Sequence, residues 1–276
     1  MKRTVHGHSP LYILLLIAMF LVMTSSPLTA KEPVTVRFCM PDAEVYPFFI
    51  FTDDEQPTGI NPQILNQVFE QGALEHVAIE YVKRPWKRCD VELRNGNVDM
   101  IIGSYNTERD AFGLFPRELG MTGSDYFFST VEVCLTTLDE PDFVARTRAG
   151  LVGDTKLTIG VEAGFSQRHS EQMVIEWLVI YNYLEKFTLL QRGRVDAIAE
   201  VCSIDFTPIE TKAEYAGMQN ITTIYQPYLS NAAYAIFSED FGHKNGDVAN
   251  TILTELDKVD KQAVYQNYRP GVNRAE

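Results

Sequence analysis

The amino-acid sequence predicts an α/β fold made of two lobes, each with a mostly parallel sheet, that face each other across a cleft. Three observations lead to this prediction: strand-like and helix-like segments alternate along the chain, a nine-residue pattern occurs twice, and aromatic and polar residues follow the predicted strands. The 276 residues are 45% hydrophobic and 22% charged, which is typical of globular proteins and leaves room for two lobes.

The N-terminal segment predicts export. Lys2 and Arg3 precede an uninterrupted apolar run over residues 11–23, and the small residue Ala30 follows as a site for a signal peptidase. We therefore expect residues 1–30 to be a cleaved signal peptide and the mature protein to be periplasmic. A membrane anchor is the alternative, but it needs about 20 apolar residues and this run is shorter.

The charge of the chain disfavours some partners. Asp and Glu number 37 against 24 Lys and Arg, so the net charge is -13 at pH 7. Such a charge repels the phosphates of nucleic acids and of anionic lipids. We expect no nucleic-acid partner, and we expect a monomer.

The cysteines predict disulfides. Four are present, an even number for an oxidising compartment: Cys39, Cys89, Cys134 and Cys202. Of the three possible pairings we favour Cys39 with Cys89 and Cys134 with Cys202, because each pair then stays inside one predicted lobe. A metal site is the alternative, but the sequence has no Cys-x-x-Cys motif and few histidines. We therefore predict no metal and no cofactor.

The first predicted lobe alternates strands and helices. Strands are predicted at residues 34–40, 77–82 and 98–102. Asn61 and Pro62 are typical of the cap and first position of a helix, and a second helix face runs from Trp86 to Leu93. This order indicates a mostly parallel sheet covered by helices.

The pattern L-x-x-G-x-V-D-x-I occurs at residues 93–101 and again at residues 190–198. Each copy predicts a helix end, a glycine stop and a buried strand. We expect its aspartates, Asp99 and Asp196, to form structural hydrogen bonds at strand edges rather than to catalyse a reaction. A match this short can arise by chance, but the neighbouring segments support two similar lobes.

The second predicted lobe begins with a strand at residues 157–161. A helix capped by Ser166 is expected next, and then a helix with Tyr183, Phe187 and Leu190 on one face. The face of the Ser166 helix is predicted from Met173, Val174, Trp177 and Leu178. The remaining predicted elements are a strand at residues 225–237 and helices at 247–259 and 261–268.

Residues that suit a small polar ligand follow the predicted strands, and ligands bind at the carboxyl ends of parallel strands. Aromatic side chains offer apolar contact, and the planar guanidinium of Arg109 suits a carboxylate. The helix start at Ser166 offers free N–H groups to an anion. The residues after the strands are Asp42, Glu44, Tyr46, Phe48, Ser104, Tyr105, Thr107, Arg109, Glu162, Phe165 and Ser166.

Six short motifs follow one another along the chain: Asp42-x-x-x-Tyr46-Pro47-Phe48, Gly59-Ile60-Asn61, Gly96-x-x-Asp99, Thr107-Glu108-Arg109, Gly160-Val161-x-x-Gly164 and Gly193-x-Val195-Asp196. Their order resembles the bacterial extracellular solute-binding proteins of the polar amino acid type, which are periplasmic binding proteins with the type II fold. Pro85-Trp86-Lys87-Arg88-Cys89 is similar to a less characterised branch of that fold. The resemblance covers most of residues 34–268.

The resemblance implies two hinge crossovers between the lobes and closure of the cleft around a ligand. We place the crossovers near residues 127–135 and 222–228. Lobe 1 then contains residues 31–129 and 226–276, and lobe 2 contains residues 130–225.

The resemblance also implies roles for individual residues. Arg109 stands where the family holds the ligand carboxylate, and Tyr46 or Phe48 stands where an aromatic ring stacks on the ligand. Each has a structural alternative, since Arg109 can pair with Glu108 or Asp110 and an aromatic ring can belong to the core. The candidate ligand-binding residues are Arg109, Tyr46, Phe48, Trp86, Ser104, Thr107, Ser166 and Glu200.

Two positions depart from the family pattern. Val201 stands where the family usually carries an Asp for the ligand ammonium, and the neighbouring Glu200 can replace it only if the strand bulges. Gln63 stands in place of another acid. Specificity for amino acids therefore stays open, whereas a carboxylate-bearing ligand remains the expectation.

Three functional classes follow. The leading one is a solute-binding protein that captures a small polar solute, an amino acid or similar, for an inner-membrane ABC transporter. The second binds a ligand and reports to a membrane signalling partner. The third, a dehydratase-like enzyme, needs Glu162 or Glu200 with a raised pKa beside Arg109. The sequence holds no recognised catalytic motif, so we predict no enzymatic activity.

Overall fold

The computed structural model of the protein describes residues 32–51, 57–121, 127–163, 165, 167, 171–211 and 218–270. Its strands are β1 (Val34–Pro41), β2 (Ile50–Phe51), β3 (Pro57–Thr58), β4 (Val77–Arg84), β5 (Met100–Ser104), β6 (Gly113–Leu114), β7 (Ser129–Leu138), β8 (Lys156–Glu162), β9 (Val174–Ile180), β10 (Ala197–Ile204), β11 (Thr207–Pro208) and β12 (Ile221–Ser238). Its α-helices are α1 (Ile60–Phe69), α2 (Trp86–Arg94), α3 (Thr107–Asp110), α4 (Pro141–Leu151), α5 (Tyr183–Gln191), α6 (Glu239–Lys244), α7 (Gly246–Lys258) and α8 (Lys261–Gln266). The predicted signal peptide at residues 1–30 lies outside the described residues.

One continuous sheet runs through the described residues in the order β4-β1-β5-β12-β7-β10-β8-β9, with β11 paired to β10 and β6 paired to β12. The three strands at one end, β4, β1 and β5, are parallel, and so are β10, β8 and β9 at the other end. Between them β12 and β7 are antiparallel to each other and to the strands beside them. The sequence predicted a separate sheet for each lobe, whereas β7 and β12 join the two parallel groups into one sheet.

The two joining strands are the crossovers of the fold. Strand β12 is 18 residues long, and it pairs with β7 from Ile221 to Ile224 and again from Leu229 to Ala233. The register shifts between Ile224 and Leu229, so the pairing changes in the middle of the sheet. The predicted fold class, two-lobed α/β with two crossovers, is thereby confirmed. The lobe boundaries at 129/130 and 225/226 stay a prediction.

Helix α1 begins two residues earlier than predicted, at Ile60 rather than Pro62. Gly59 precedes it, and the amides of Ile60 and Asn61 donate to the carbonyls of Pro47 and Phe48 at 3.0 and 3.2 Å. Gly59 has a φ of +101°, and a Cβ there would lie 2.7 Å from the Phe48 carbonyl oxygen. The loop therefore satisfies the free N–H groups of the helix start, which removes the need for Asn61 as a cap.

The repeated pattern forms the same local structure twice. Gly96 and Gly193 adopt φ values of +67° and +61°, a conformation that favours glycine. Their amides donate to the carbonyls of Leu93 and Leu190 at 3.1 and 2.9 Å, which closes each helix end. The predicted helix end, glycine stop and buried strand are confirmed in both copies.

Each aspartate of the pattern stands just before a strand and forms a hydrogen bond to the neighbouring strand of the sheet. Asp99 accepts a hydrogen bond from the Arg37 amide at 2.8 Å, and Asp196 accepts one from the Thr158 amide at 2.7 Å. The Arg37 guanidinium also binds both oxygens of Asp99. Arg146 also binds Asp196, but it donates to only one oxygen of that carboxylate, Oδ1. These structural roles are those the sequence predicted.

Strand β9 occupies the place where the sequence predicted a helix with Met173, Val174, Trp177 and Leu178 on its face. The helix prediction is wrong. Ile175 and Trp177 alternate with exposed neighbours and pack onto the second half's core, as in a strand. The spacings between Met173, Val174, Trp177 and Leu178 do not by themselves distinguish a helix from a strand. The valines and isoleucines of this segment are β-branched and favour a strand.

Both predicted disulfides are present. Cys39 bonds to Cys89 and Cys134 bonds to Cys202, each with a Cα–Cα distance of 5.6 Å. The first joins β1 to α2, and the second joins β7 to β10. No helix among the described residues is long and apolar enough to cross a membrane.

The repeat provides a matched test of stability. We expect Asp99→Ala to lower the free energy of unfolding by about 2–4 kcal/mol, because it leaves a buried amide and the Arg37 side chain without their acceptor. Asp196→Ala should cost less, since its side chain is 19% exposed against 8% for Asp99, and water can replace the lost acceptor. Urea unfolding with the disulfides intact measures both, and equal losses would contradict the structural difference.

Candidate ligand-binding site

A cavity of about 200 Å³ lies where the parallel strands end against the crossovers. The last residues of β1, β5 and β8, which are Pro41, Ser104 and Glu162, all line it. Carboxyl ends of parallel strands from both halves of the sheet therefore meet at one place, as in other open α/β sheets that bind small ligands.

The wall combines aromatic and polar side chains. The aromatic residues are Phe48, Phe49, Trp86 and Phe165. The polar ones are Asn61, Ser104, Arg109, Ser129, Glu162 and Asn231. A wall of this kind can hold a small molecule by apolar contact and orient it with few hydrogen bonds.

Arg109 is buried in this wall. Its helix α3 starts after Asn106, whose side chain accepts a hydrogen bond from the Arg109 amide at 2.7 Å. The guanidinium donates from Nε to Asp90 Oδ1 at 2.8 Å and from Nη2 to Asp90 Oδ2 at 3.3 Å. Nη1 donates to the Ser104 carbonyl at 2.8 Å, and the group lies 5.5 Å from the Trp86 ring centre. Asp90, rather than Glu108 or Asp110, is its carboxylate partner.

Two N–H groups of the Arg109 guanidinium are not used within the described residues. It carries five N–H donors, and three of them are used by Asp90 and Ser104. No described residue accepts from the other two, one on Nη1 and one on Nη2. A Cβ at Gly103 would lie 3.1 Å from Nη1, so the guanidinium rests against the bare backbone of β5. The group is thus held in place with donors left over.

A second charged group lies on the other side of the cavity, around Lys186. Its Nζ lies 3.0 Å from Glu162 Oε1, 2.5 Å from Glu200 Oε1 and 3.3 Å from the Ala199 carbonyl. The Tyr183 hydroxyl donates to Glu200 Oε2 at 2.9 Å. Helix α5 supplies both Tyr183 and Lys186, and the carboxylates come from β8 and β10. Lys186 and Glu200 are buried, and only Glu162 reaches the cavity.

Burial and charge shift the pKa values in this group. Burial raises the pKa of Glu162, and the nearby charge of Glu200 raises it further, while Lys186 opposes both. Burial by itself would lower the pKa of Lys186, but Glu162 and Glu200 outweigh it and the pKa is raised. Burial also raises the pKa of Tyr183 well above its usual value. Lys186 therefore stays cationic and Tyr183 stays neutral near pH 7.

Four of the predicted ligand-binding residues lie in the cavity wall: Phe48, Trp86, Ser104 and Arg109. Tyr46 is buried in the core instead, with its ring 6.4 Å from that of Tyr268. Thr107 is exposed at the start of α3, and Glu200 lies behind Glu162 against Lys186. Ser166 lies outside the described residues.

The two positions that depart from the family pattern are structural. Val201 is buried in the core, and Gln63 donates to the Tyr268 hydroxyl at 3.0 Å. The pairing of β10 with β7 does shift register, but it does so between Val201 and Ser203, after Glu200. The condition that the sequence set for Glu200, a bulge that turns it toward the ligand, is therefore not met at Glu200 itself.

Sequence analysis missed Asp90 and Lys186. Lys186 lies on the same helix face as Tyr183, Phe187 and Leu190, and a lysine on an apolar face signals a buried cation that needs acceptors. Asp90 carried no such signal, because its partner Arg109 is distant in sequence. The residues that the structure describes contain no group of three or more His, Cys, Asp or Glu side chains that could hold a metal ion.

Residues 38–129 match the family model of the bacterial extracellular solute-binding proteins, family 3. No curated protein sequence matches the chain. Substrate-binding domain 2 of GlnP from Lactococcus lactis, in its open conformation, is 16% identical and superposes with a TM-score of 0.56, over 89% of this chain and 99% of that one.

Two further solved structures are similar. The BvgS VFT2 domain of Bordetella pertussis, a double mutant, is 16% identical with a TM-score of 0.59, over 85% of this chain and 93% of that one. The ancestral amino-acid-binding protein AncCDT-1, a precursor of cyclohexadienyl dehydratase, is 18% identical with a TM-score of 0.59, over 85% and 95%. These likenesses show the type II periplasmic-binding-protein fold, and with the family match they confirm the resemblance to solute-binding proteins.

The buried cation gives a test of the site's electrostatics. We expect Lys186→Met to lower the free energy of unfolding by about 3–5 kcal/mol at pH 7.5, because it leaves two carboxylates buried without a cation. The pKa of Glu162, which burial already raises, rises further without the lysine, so protonation of Glu162 relieves part of the loss and the deficit shrinks at pH 5.

Lys156→Met is the matched control, since Lys156 forms an exposed ion pair with Glu176 and should change stability little. Urea unfolding at the two pH values measures the effect. A deficit for Lys186→Met that grows toward pH 5 would contradict this account of the site.

Proposed function

We propose that the protein captures a small polar, carboxylate-bearing solute in this cavity and delivers it to an inner-membrane ABC transporter. The observation that carries the proposal is Arg109, a buried arginine in the cavity wall with two N–H groups left for a ligand. The type II fold, which solute-binding proteins use, supports it.

Arg109 suits a carboxylate because it is already oriented. Asp90 and Ser104 fix the plane of the guanidinium, so little side-chain entropy is lost when a ligand binds. The two remaining N–H groups are charge-assisted donors, which are the stronger kind. The Trp86 ring beside the guanidinium offers a flat apolar surface to the body of the solute.

Closure around the solute follows from the position of the cavity. Its wall includes Ser104 and Arg109 from one half of the sheet, Glu162 and Phe165 from the other, and Ser129 from a crossover. A solute that touches both halves favours the closed form by the free energy of the contacts made only there. The register shift in β12 is the place where the crossovers can bend.

Two other roles would use the same cavity. A protein that reports the solute to a membrane signalling partner is the stronger of them, and Val201 in place of the acid usual for import of amino acids favours it. A dehydratase-like enzyme needs Glu162 or Glu200 with a raised pKa beside Arg109. The acid beside Arg109 is Asp90 instead, and Glu162 and Glu200 are both paired with Lys186.

Arg109 is tested by substitution. A thermal-shift screen of residues 31–276 with amino acids and small carboxylates identifies a ligand, because a ligand of the native state raises its stability. We expect Arg109→Ala to weaken binding of that ligand about ten- to a hundred-fold, the usual effect of a lost charged hydrogen bond. Calorimetric titration measures it.

Arg94→Ala is the control for Arg109→Ala, because Arg94 is a partly exposed arginine that pairs with Glu108 outside the cavity wall. Its affinity for the ligand should equal that of the wild type. If Arg109→Ala bound the ligand as tightly as the wild type does, the proposed contact between Arg109 and the ligand would be wrong.

The two tryptophans report on the location of the ligand. Trp86 lines the cavity, whereas Trp177 packs on the core beside Tyr228. We expect a ligand to change the fluorescence of the Trp177→Phe variant, in which Trp86 is the remaining tryptophan, and not that of Trp86→Phe. The reverse result would place the solute elsewhere.

A further inference from the structure

The sheet has two outer edges, and they differ in composition. Strand β4 forms one of them. Glu80, Lys83 and Arg84 are exposed on it, and none of its large apolar side chains is exposed. Charged side chains of this kind keep other strands from pairing with an edge. Strand β9 forms the other edge, and it carries a single charge, on Glu176.

Exposed apolar side chains gather at the β9 edge. Among the residues that the structure describes, nine large hydrophobic side chains are exposed, and six of them lie on β9 or beside its ends. Monomeric proteins rarely concentrate such side chains in one place, so their concentration marks an interaction surface. The six residues, which we call the β9 patch, are Val152, Val174, Leu178, Val179, Tyr181 and Leu184.

The β9 patch extends past both ends of the strand. Val152 follows helix α4, and the backbone of the next residue, Gly153, packs against Gln172 just before β9. Tyr181 follows β9 directly and is 88% exposed, and Leu184 lies in the first turn of α5. The strand therefore has exposed apolar groups beside its beginning and beside its end.

The backbone of β9 offers hydrogen-bonding groups along the same edge. In the part of the chain that the structure describes, β9 pairs only with β8, and the Ile180 carbonyl accepts from the Ala163 amide at 2.8 Å. The N–H and C=O groups of alternate residues point to opposite sides of a strand, so those of Ile175, Trp177 and Val179 point away from β8. An extended strand is the partner that binds such a row of groups.

A second copy of β9 fits this edge when the two strands run antiparallel. Trp177 is the middle residue of Val174–Ile180, so a two-fold axis at Trp177 overlaps the whole strand with its copy. Glu176 then lies opposite the partner's Leu178, and no two like charges face each other across the strands. The end of one strand meets the beginning of the other, which brings the apolar groups at the two ends of the β9 patch together.

The charge of the β9 edge permits this approach. The chain has a net charge of -13, so two copies repel each other at most of their surface. At β9 the carboxylate of Glu176 lies 2.8 Å from Lys156 Nζ, and this ion pair within the chain offsets the one charge of the strand. The edge is therefore a neutral, apolar place on an acidic protein.

We propose that two copies of the chain associate through β9, with the strands antiparallel about a two-fold axis at Trp177. Such a dimer goes beyond solute capture and departs from the monomer that the sequence predicted. Strand β9 and its neighbours supply about ten residues a side, fewer than the roughly 20–30 of a standard interface. We therefore expect a weak dimer, with a dissociation constant of about 1–100 µM.

Sedimentation of residues 31–276 over a series from about 1 to about 300 µM measures the association. Two substitutions at the exposed Leu178 then test the pairing. Leu178→Glu places like charges opposite the partner's Glu176, twice by symmetry, and we expect it to weaken the dimer about tenfold or more. Leu178→Lys places opposite charges there instead, so we expect it to dimerise at least about tenfold more tightly than Leu178→Glu.

Two variants on the other edge of the sheet control for net charge. Ala78→Glu and Ala78→Lys make matching charge substitutions at an exposed position of β4. Their dissociation constants should stay within about twofold of the wild-type value, since charges far from the interface are screened by salt. Thermal unfolding checks that all four variants fold.

Three results would overturn the proposal. A monomer over the whole concentration range would leave the β9 edge for a strand of another protein. A dimer that Leu178→Glu does not weaken would form at another surface. Equal weakening by Leu178→Glu and Leu178→Lys would contradict the antiparallel pairing about Trp177, because that pairing makes the two charges at Leu178 act in opposite directions.

Discussion

The pairing of β7 with β12 is the constraint on which the rest of the structure depends. Both strands run through the sheet from one parallel group to the other, so their hydrogen bonds fix how the two groups meet. The carboxyl ends of β1, β5 and β8 are brought to the same place by this pairing. The cavity exists because these ends and the two crossovers converge, and no single half of the sheet could form it.

The cavity wall shows how charged groups are held in a poorly solvated place. Each is bound to an internal partner before any ligand arrives: Arg109 to Asp90, and Glu162 with Glu200 to Lys186. Such pairing offsets the desolvation cost that an isolated buried charge would carry. It also fixes the orientation of Arg109 and Glu162, so the atoms that remain open are few and defined. In the proposed function, a solute would meet those few atoms, so its recognition would depend on them rather than on total charge.

Much of the fold could be predicted from the sequence, because its signals are local. The two copies of the glycine and aspartate pattern specify a helix end and a strand through contacts a few residues apart, and the structure has both. The disulfide pairing followed from the same division into halves. Strand β9 could not be recognised, because Met173, Val174, Trp177 and Leu178 fit a helix face by spacing alone, and the neighbouring strand β8 decides the matter. Of the predicted ligand-binding residues, Arg109, Trp86, Phe48 and Ser104 lie in the cavity wall, and their contact with a ligand stays a prediction. The partners Asp90 and Lys186 were not foreseen, because long-range packing sets them.

The Cys39–Cys89 bond ties the site to the conditions in which the chain folds. Helix α2 carries Trp86, which lies in the cavity wall, and Asp90, which is the counter-ion of Arg109. Cys89 lies between these two residues in the sequence, and its disulfide attaches the helix to β1. Recombinant material made in a reducing cytoplasm lacks that fastening, although its sequence is the same. In a preparation without the bond, packing alone would hold helix α2 in place. Absence of binding in a ligand screen of that preparation would then reflect the missing disulfide and not the properties of the oxidised protein.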